Sequence, residues 1–169
     1  GRLSGLKTLN PLISSQVFYA PDYPETATRA ILKMAGLSPL KICMENKEKY
    51  PLGKLYSGVI VRHLALPSRI ADSRAVLRWF AKNLRGRALI SVMTQYTPVK
   101  RTAGIKNYSL FENRMLIPEE DENLKTLLSS LKIDEGFYQE LVASDDWLPD
   151  FNRVQTFSSE LSKPLWHWK

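Results

Sequence analysis

The chain has 169 residues, 44% of them apolar, with 24 Lys+Arg against 17 Asp+Glu for a formal charge of +7. That is one domain's worth of chain, long enough to bury a sizeable core, and its basic excess is scattered, whereas a nucleic-acid footprint needs a dense basic stripe with aromatics between. A single cysteine excludes an internal disulfide and a cysteine-based metal cage, and no stretch reaches the ~18 apolar residues that span a membrane.

In chain order, Arg2 to Leu9 is a short strand candidate and Asn10 to Pro21 a connecting loop. Asp22 then starts a helix as N-cap, with Pro24 in the first turn and Glu25 three residues after the cap. Ala27, Ile31, Met34 and Ala35 form its buried stripe, and Gly36 offers a left-handed stop. Leu37 to Lys54 reads as a polar connector with prolines at 39 and 51.

Tyr56 to Val99 is the most informative stretch. Gly58 to Leu66 is a near-continuous apolar run broken by Arg62 and His63, as in a strand buried on both faces of a parallel sheet. Pro67-Ser68 ends it. Ile70 to Leu84 follows helical spacing, with Leu77, Phe80, Ala81 and Leu84 on one stripe and Asp72 as the expected N-cap. Ala88 to Met93 is a second strand, closed by Gln95-Tyr96-Thr97-Pro98. A long basic loop, 99–117, leads to a helix opened by Pro118, with Glu119, Glu120 and Asp121 in its first turn and Leu124, Leu127, Leu128 and Leu131 on its apolar face. Gly136 to Val142 is the last strand, and Ser144 to Lys169 a tail without a clear period. The expected division is an α/β domain over 1–143 and a tail over 144–169.

Alternation of this kind predicts a parallel sheet with flanking helices and right-handed crossovers. It is an open doubly wound sheet or a piece of a (βα) barrel. Four strands are too few to close a barrel of eight, so an exposed edge is expected.

Polar residues at the carboxyl ends of parallel strands are where such folds place ligands. Arg62, His63, Gln95 and Tyr96 are therefore the candidates. An arginine inside a sheet needs an anion, either a structural carboxylate or the carboxylate or phosphate of a ligand. His63 is a satisfied core residue or a member of the site. The other histidine, His167, falls in the tail, and no metal-binding spacing is present. Cys43 reads as an inert thiol, and the pairs Asp134-Glu135 and Asp145-Asp146 as solvated or capping. No phosphate-binding glycine motif and no nucleophile elbow occurs. The residues alone give a parallel α/β module with a polar cluster and no self-sufficient catalytic set.

Four segments resemble a radical S-adenosylmethionine family, the pyruvate formate-lyase activating enzyme-like iron–sulfur proteins. They are Ala20-Pro21-Asp22-Tyr23-Pro24-Glu25 with the Ala27–Ile31 run behind it, Gly58 through Arg62-His63-Leu64-Ala65-Leu66-Pro67, Ser91-Val92-Met93-Thr94-Gln95-Tyr96, and Gly136-Phe137-Tyr138-Gln139-Glu140 with Pro149-Asp150-Phe151. The resemblance covers about residues 3–151 and implies the carboxyl-terminal half of a partial (βα)6 TIM-like barrel. It departs from the family in lacking the CxxxCxxC motif that binds a [4Fe–4S] cluster, in having Gly5 where an Asp is usual beside Lys7, and in reading Pro67-Ser68 where the family has Pro-Gly.

The resemblance implies that Lys7 and Arg62 line an S-adenosylmethionine pocket, with Gln95, Tyr96 and His63 at the same cavity. In the intact family the cluster reduces S-adenosylmethionine to a 5′-deoxyadenosyl radical, an oxidoreductase chemistry directed at a glycyl-radical-type protein or a small substrate. No cluster is expected on this chain, which is then not active alone. The alternative is a non-catalytic binding or interaction module that uses an exposed sheet edge. Self-association through that edge, no membrane partner, a cytoplasmic location and a start processed or excised before Gly1 complete the expectations.

Overall fold

In a computed structural model of the chain, residues 1–44, 53–98 and 110–141 are described. Residues 99–109 of the long basic loop and the tail over 144–169 lie outside them. The elements are β1 (Arg2–Gly5), α1 (Pro11–Gln16), α2 (Tyr23–Leu37), β2 (Lys41–Cys43), β3 (Lys54–Ser57), β4 (Val59–Leu64), α3 (Ile70–Leu84), β5 (Leu89–Met93), α4 (Pro118–Ser130) and β6 (Gly136–Tyr138).

Four strands form a sheet in the order β1-β4-β5-β6, and every neighbouring pair is parallel. Spatial order follows chain order without a reversal. A doubly wound sheet reverses at a switch point and carries helices on both faces. Here α2, α3 and α4 all pack on one face: Ile31, Leu77, Phe80 and Leu124 join Val59, Val61, Ile90 and Val92 in a single core cluster. The doubly wound alternative therefore fails among the described residues.

Strand side chains alternate between faces. In β4 the helix side takes Val59, Val61 and His63, while Ile60, Arg62 and Leu64 point to the other face and stay partly or fully exposed. The strand is thus buried on one face, and the expectation of burial on both is corrected. The sheet edges are β1 and β6.

Four local readings also change. Residues 10–21 hold a helix, α1, whose Asn10 cap accepts from the amides of Leu12 (2.9 Å) and Ile13 (3.4 Å). The supposed connector before Tyr56 carries the antiparallel hairpin β2–β3. Gly36 lies inside α2, which ends at Leu37 with Ser38 as C-cap. Asp72 is not the cap of α3, which is Arg69. Instead Asp72 pairs with Arg69 (2.5 Å) and accepts from the Asn10 side-chain amide nitrogen (2.9 Å), which ties the loop after β1 to the start of α3.

Candidate functional site

A cavity of about 550 Å³ lies at the carboxyl ends of β1, β4 and β5. That is within the usual range of a small-molecule site. Its floor is the sheet face opposite α2, α3 and α4, with Gly5, Arg62, Leu64 and Met93 side by side. One wall comes from the end of α1, through Val17 and Phe18, and the opposite wall from Tyr96 and Phe111.

Arg62 is exposed at the mouth and donates to the Met93 Sδ at 3.2 Å. A thioether is a weak acceptor, and among the described residues no carboxylate pairs with this guanidinium. The structural-carboxylate alternative therefore finds no support there. Lys7 places its Nζ 4.8 Å from the centre of the Phe18 ring. Its backbone is fixed from behind: the Tyr23 hydroxyl accepts from the Lys7 amide (3.0 Å) and donates to the Gly5 carbonyl (2.9 Å). Burial pushes the Tyr23 phenol up, the Lys7 amide opposing, so the group stays protonated and keeps donating. Tyr96 donates to Asn113 (3.0 Å) and stacks edge-on against Phe111, centroids 5.4 Å apart. Lys7, Arg62 and Tyr96 thus come together from three different strand ends.

Gln95 and His63 do not line this cavity. Gln95 is buried among backbone and amide partners, donating to the Glu140 carbonyl (3.3 Å) and accepting from Gln139 (2.5 Å). It fastens the segment after β5 to the one after β6. His63 is next to Arg62 in sequence and therefore on the opposite face of the strand. Its Nδ1 lies 2.9 Å from the Leu6 carbonyl and its Nε2 2.9 Å from the Ser73 hydroxyl. A carbonyl can only accept, so Nδ1 carries the proton and Nε2 accepts from Ser73. This is a neutral imidazole locked between β1 and α3.

Burial holds the His63 pKa below its ordinary 6.5, against the opposing pulls of the Leu6 carbonyl and Asp72. The unfolded chain then binds the proton more readily than the folded one. Stability from this group is complete above about pH 6.5 and falls as the pH drops from there through the lowered folded value, with a slope of at most ~1.4 kcal/mol per pH unit. Urea unfolding of the wild type and His63→Gln from about pH 7.5 to about pH 5.5 checks it. The difference between the two should shrink as the pH falls, and a difference independent of pH would sink the assignment.

Two wall residues, Phe18 and Phe111, carry no local signal of their role; only the fold brings them to the strand ends. Phe111 is held by a clasp. Ser68, just after β4, accepts at its hydroxyl from the Glu112 amide (3.0 Å). The Glu120 carboxylate accepts from the Ser68 amide (2.6 Å), from the Ile117 amide (3.0 Å) and from both terminal nitrogens of Arg114 (2.8 and 3.0 Å). Ser68 has φ +59°, the left-handed conformation that glycine adopts most readily. The serine at this turn therefore adopts a backbone that suits glycine, and uses its hydroxyl to bind the segment bearing Phe111.

Among the described residues, no three His, Cys, Asp or Glu side chains gather where they could hold a metal. Cys43 is a free, half-buried thiol in β2. No described helix is long and apolar enough to cross a membrane. No family model, no curated protein and no solved structure matches the chain.

Proposed function

We propose that this chain is the carboxyl-terminal part of a radical S-adenosylmethionine protein of the pyruvate formate-lyase activating enzyme-like kind, and that its cavity receives the carboxylate end of S-adenosylmethionine. The observation that carries this reading is Arg62. Its guanidinium stands at the carboxyl end of a central parallel strand, in a cavity, and among the described residues its one side-chain partner is a thioether. A planar fork of donors suits a carboxylate in bidentate fashion. The sheet supports the half-barrel part of the reading, because strand order equals chain order and the helices share one face, as they do in barrels.

Bound S-adenosylmethionine would supply a cleavable sulfonium, the source of a carbon radical. This chain's own contribution is to hold the carboxylate with Arg62 and to screen it from water with Tyr96 and Phe111. The cluster is a different matter. Three thiolates hold it in that family, and the chain has one cysteine, so no step here runs through a cluster. A protein substrate of the glycyl-radical type belongs to this proposal only through the family resemblance.

Calorimetric titration tests it. Arg62→Ala should weaken S-adenosylmethionine binding by about 1.5–3 kcal/mol, the scale of a hydrogen bond to a charged group. The melting temperature should stay put, because the side chain is exposed. Equal affinity of the two proteins would remove the reading.

One observation favours the interaction-module reading instead. The edges β1 and β6 have no strand beyond them among the described residues, and Leu3 on β1 is 66% exposed. Unpaired parallel edges recruit other chains. Self-association is the expected result, seen as an average mass that rises with concentration in light scattering. The Arg2 and Leu6 amides donate to the Gly58 and Arg62 carbonyls (2.9 and 2.8 Å), so the Leu3 amide between them faces the open edge, and Leu3→Pro, which removes it, should lower self-association. A monomer at all concentrations would discard this second reading.

A further inference from the structure

We infer that the cavity at the strand ends selects small organic anions, taking a carboxylate or phosphate head at Arg62 and Lys7 and an aromatic or branched aliphatic body between Phe18, Met93 and Phe111. The inference rests on the cavity being a small-molecule site, and not on the identity of any cofactor.

The charge count comes first. The described lining carries two cations, Arg62 and Lys7, and no carboxylate. A site this shape, floored by a sheet and walled by apolar side chains, strengthens the field of those two charges over what open water would allow. An anion entering it meets two complementary charges, while a cation meets repulsion with nothing to offset it.

Geometry adds the rest. Among the described residues, both cations are held in place without being neutralised. Arg62 leans on the Met93 thioether at 3.2 Å, and Lys7 on the Phe18 ring at 4.8 Å. Neither contact uses up the charge, so both remain available to a ligand. The walls supply the apolar half: Phe18 on one side, and Phe111, set edge-on to Tyr96, on the other. A head that is charged and a body that is not match this division.

Position 5 explains why the charge is unbalanced. Gly5 sits in register with Arg62 on the adjoining strand and faces the same cavity. A side chain there would meet nothing nearer than the Tyr23 hydroxyl, 3.9 Å from the added Cβ. The backbone does not demand glycine, since its φ lies outside the left-handed range. The glycine thus leaves an opening where an acidic residue would fit and would pair with Arg62. S-adenosylmethionine brings a carboxylate but also a sulfonium and an ammonium group. If it occupies Arg62, the same count calls for an anionic co-ligand beside Lys7.

The test is a calorimetric titration of the full chain with three probes of one shape: phenylbutyrate, its neutral amide, and phenylbutylamine, with phenyl phosphate as the second anionic head. The anions should bind at least about tenfold more tightly than the amide, and the amine weakest of all. Arg62→Gln and Lys7→Met should each cost the anions about tenfold or more, and added salt should weaken them. Gly5→Asp should abolish the preference for anions while leaving the melting temperature in place. Amide or amine binding as tight as the anions, a Gly5→Asp protein that keeps the preference, or no probe binding at all would overturn the inference. S-adenosylmethionine titrated in parallel separates the two readings. Its binding through Arg62 without discrimination among the probes removes this inference alone, and anion binding without it removes the cofactor reading alone.

Discussion

Gly136→Ala should destabilise the fold by about 3 kcal/mol or more and lower the melting temperature by roughly 6–12 °C, the usual conversion for a chain of this size. Gly136 opens β6 opposite Ile90 on β5. Its φ of +154° is one that side chains rarely adopt, and a Cβ there would stand 2.3 Å from the Ile90 carbonyl oxygen. That contact is with backbone, so it cannot be relieved by turning a side chain. The strand has to move away, and β6 has little to spare. Tyr138, two residues on, is buried in the core and donates to the Asp121 carboxylate at 2.6 Å, and Thr94 donates to the Gln139 carbonyl at 2.7 Å. Gly86 serves as the control. It also has positive φ, +71°, but nothing lies within 4 Å of an added Cβ, so Gly86→Ala should cost only the ~1–2 kcal/mol of the backbone conformation. Thermal unfolding of both variants decides. Equal losses would show that β6 shifts freely and that the close approach to Ile90 holds nothing together.

The parts of this fold that could be read from sequence were those set by local periodicity. Ala27, Ile31 and Ala35 in α2 and Leu77, Phe80 and Leu84 in α3 recur at helical spacing, and the structure buries them. The parallel sheet followed from their alternation with the apolar runs of β4 and β5. What escaped was short or non-local. The six residues of α1 are too few to show a period, although Asn10-Pro11 is a cap followed by a first-turn proline. The hairpin strands β2 and β3 are mostly exposed, so they resemble a polar connector. Arg62 and His63 were legible as candidates but not as opposites. A strand's two-residue period puts neighbours on different faces, and that alone separates the cavity-facing arginine from the core histidine. Phe18, Phe111 and the partners of Glu120 come from distant segments, and no spacing in the sequence announces them.

Glu120 looked like an acid placed to favour a helix N-terminus, and its larger part is to join two loops at the cavity. It does sit in the first turn of α4, where it accepts from the Ile117 amide as a capping residue should. The same carboxylate reaches the Ser68 amide, 52 residues earlier in the chain, and the Arg114 fork. Glu120→Ala strips all of these donors at once. The Ile117 amide loses its acceptor, Arg114 is left with the Glu112 carboxylate and the Met115 carbonyl, and the left-handed turn at Ser68 loses its anchor. The expected cost is about 2–4 kcal/mol, below the ~3–5 of a fully buried pair because Arg114 keeps about a third of its side chain in solvent. Burial alone would raise the carboxyl's pKa, but the Arg114 hydrogen bonds and the Ile117 and Ser68 amides outweigh it and hold the group below its ordinary 4.5. The stability it contributes is therefore present above that value and is lost as the pH falls through the lowered folded value. Urea unfolding of the wild type and Glu120→Gln should show a gap that is full near neutrality and narrows below about pH 4.5. The same variant reports on the cavity. Ser68 holds the Glu112 amide, and Phe111 is the adjoining residue. Loosening the clasp should free that wall and weaken any ligand held against Phe111, with Arg62 untouched. A Glu120→Gln protein with wild-type stability at neutral pH would show that the clasp is a surface ion pair of little consequence. Full ligand affinity in a destabilised Glu120→Gln protein would show that Phe111 keeps its place without it.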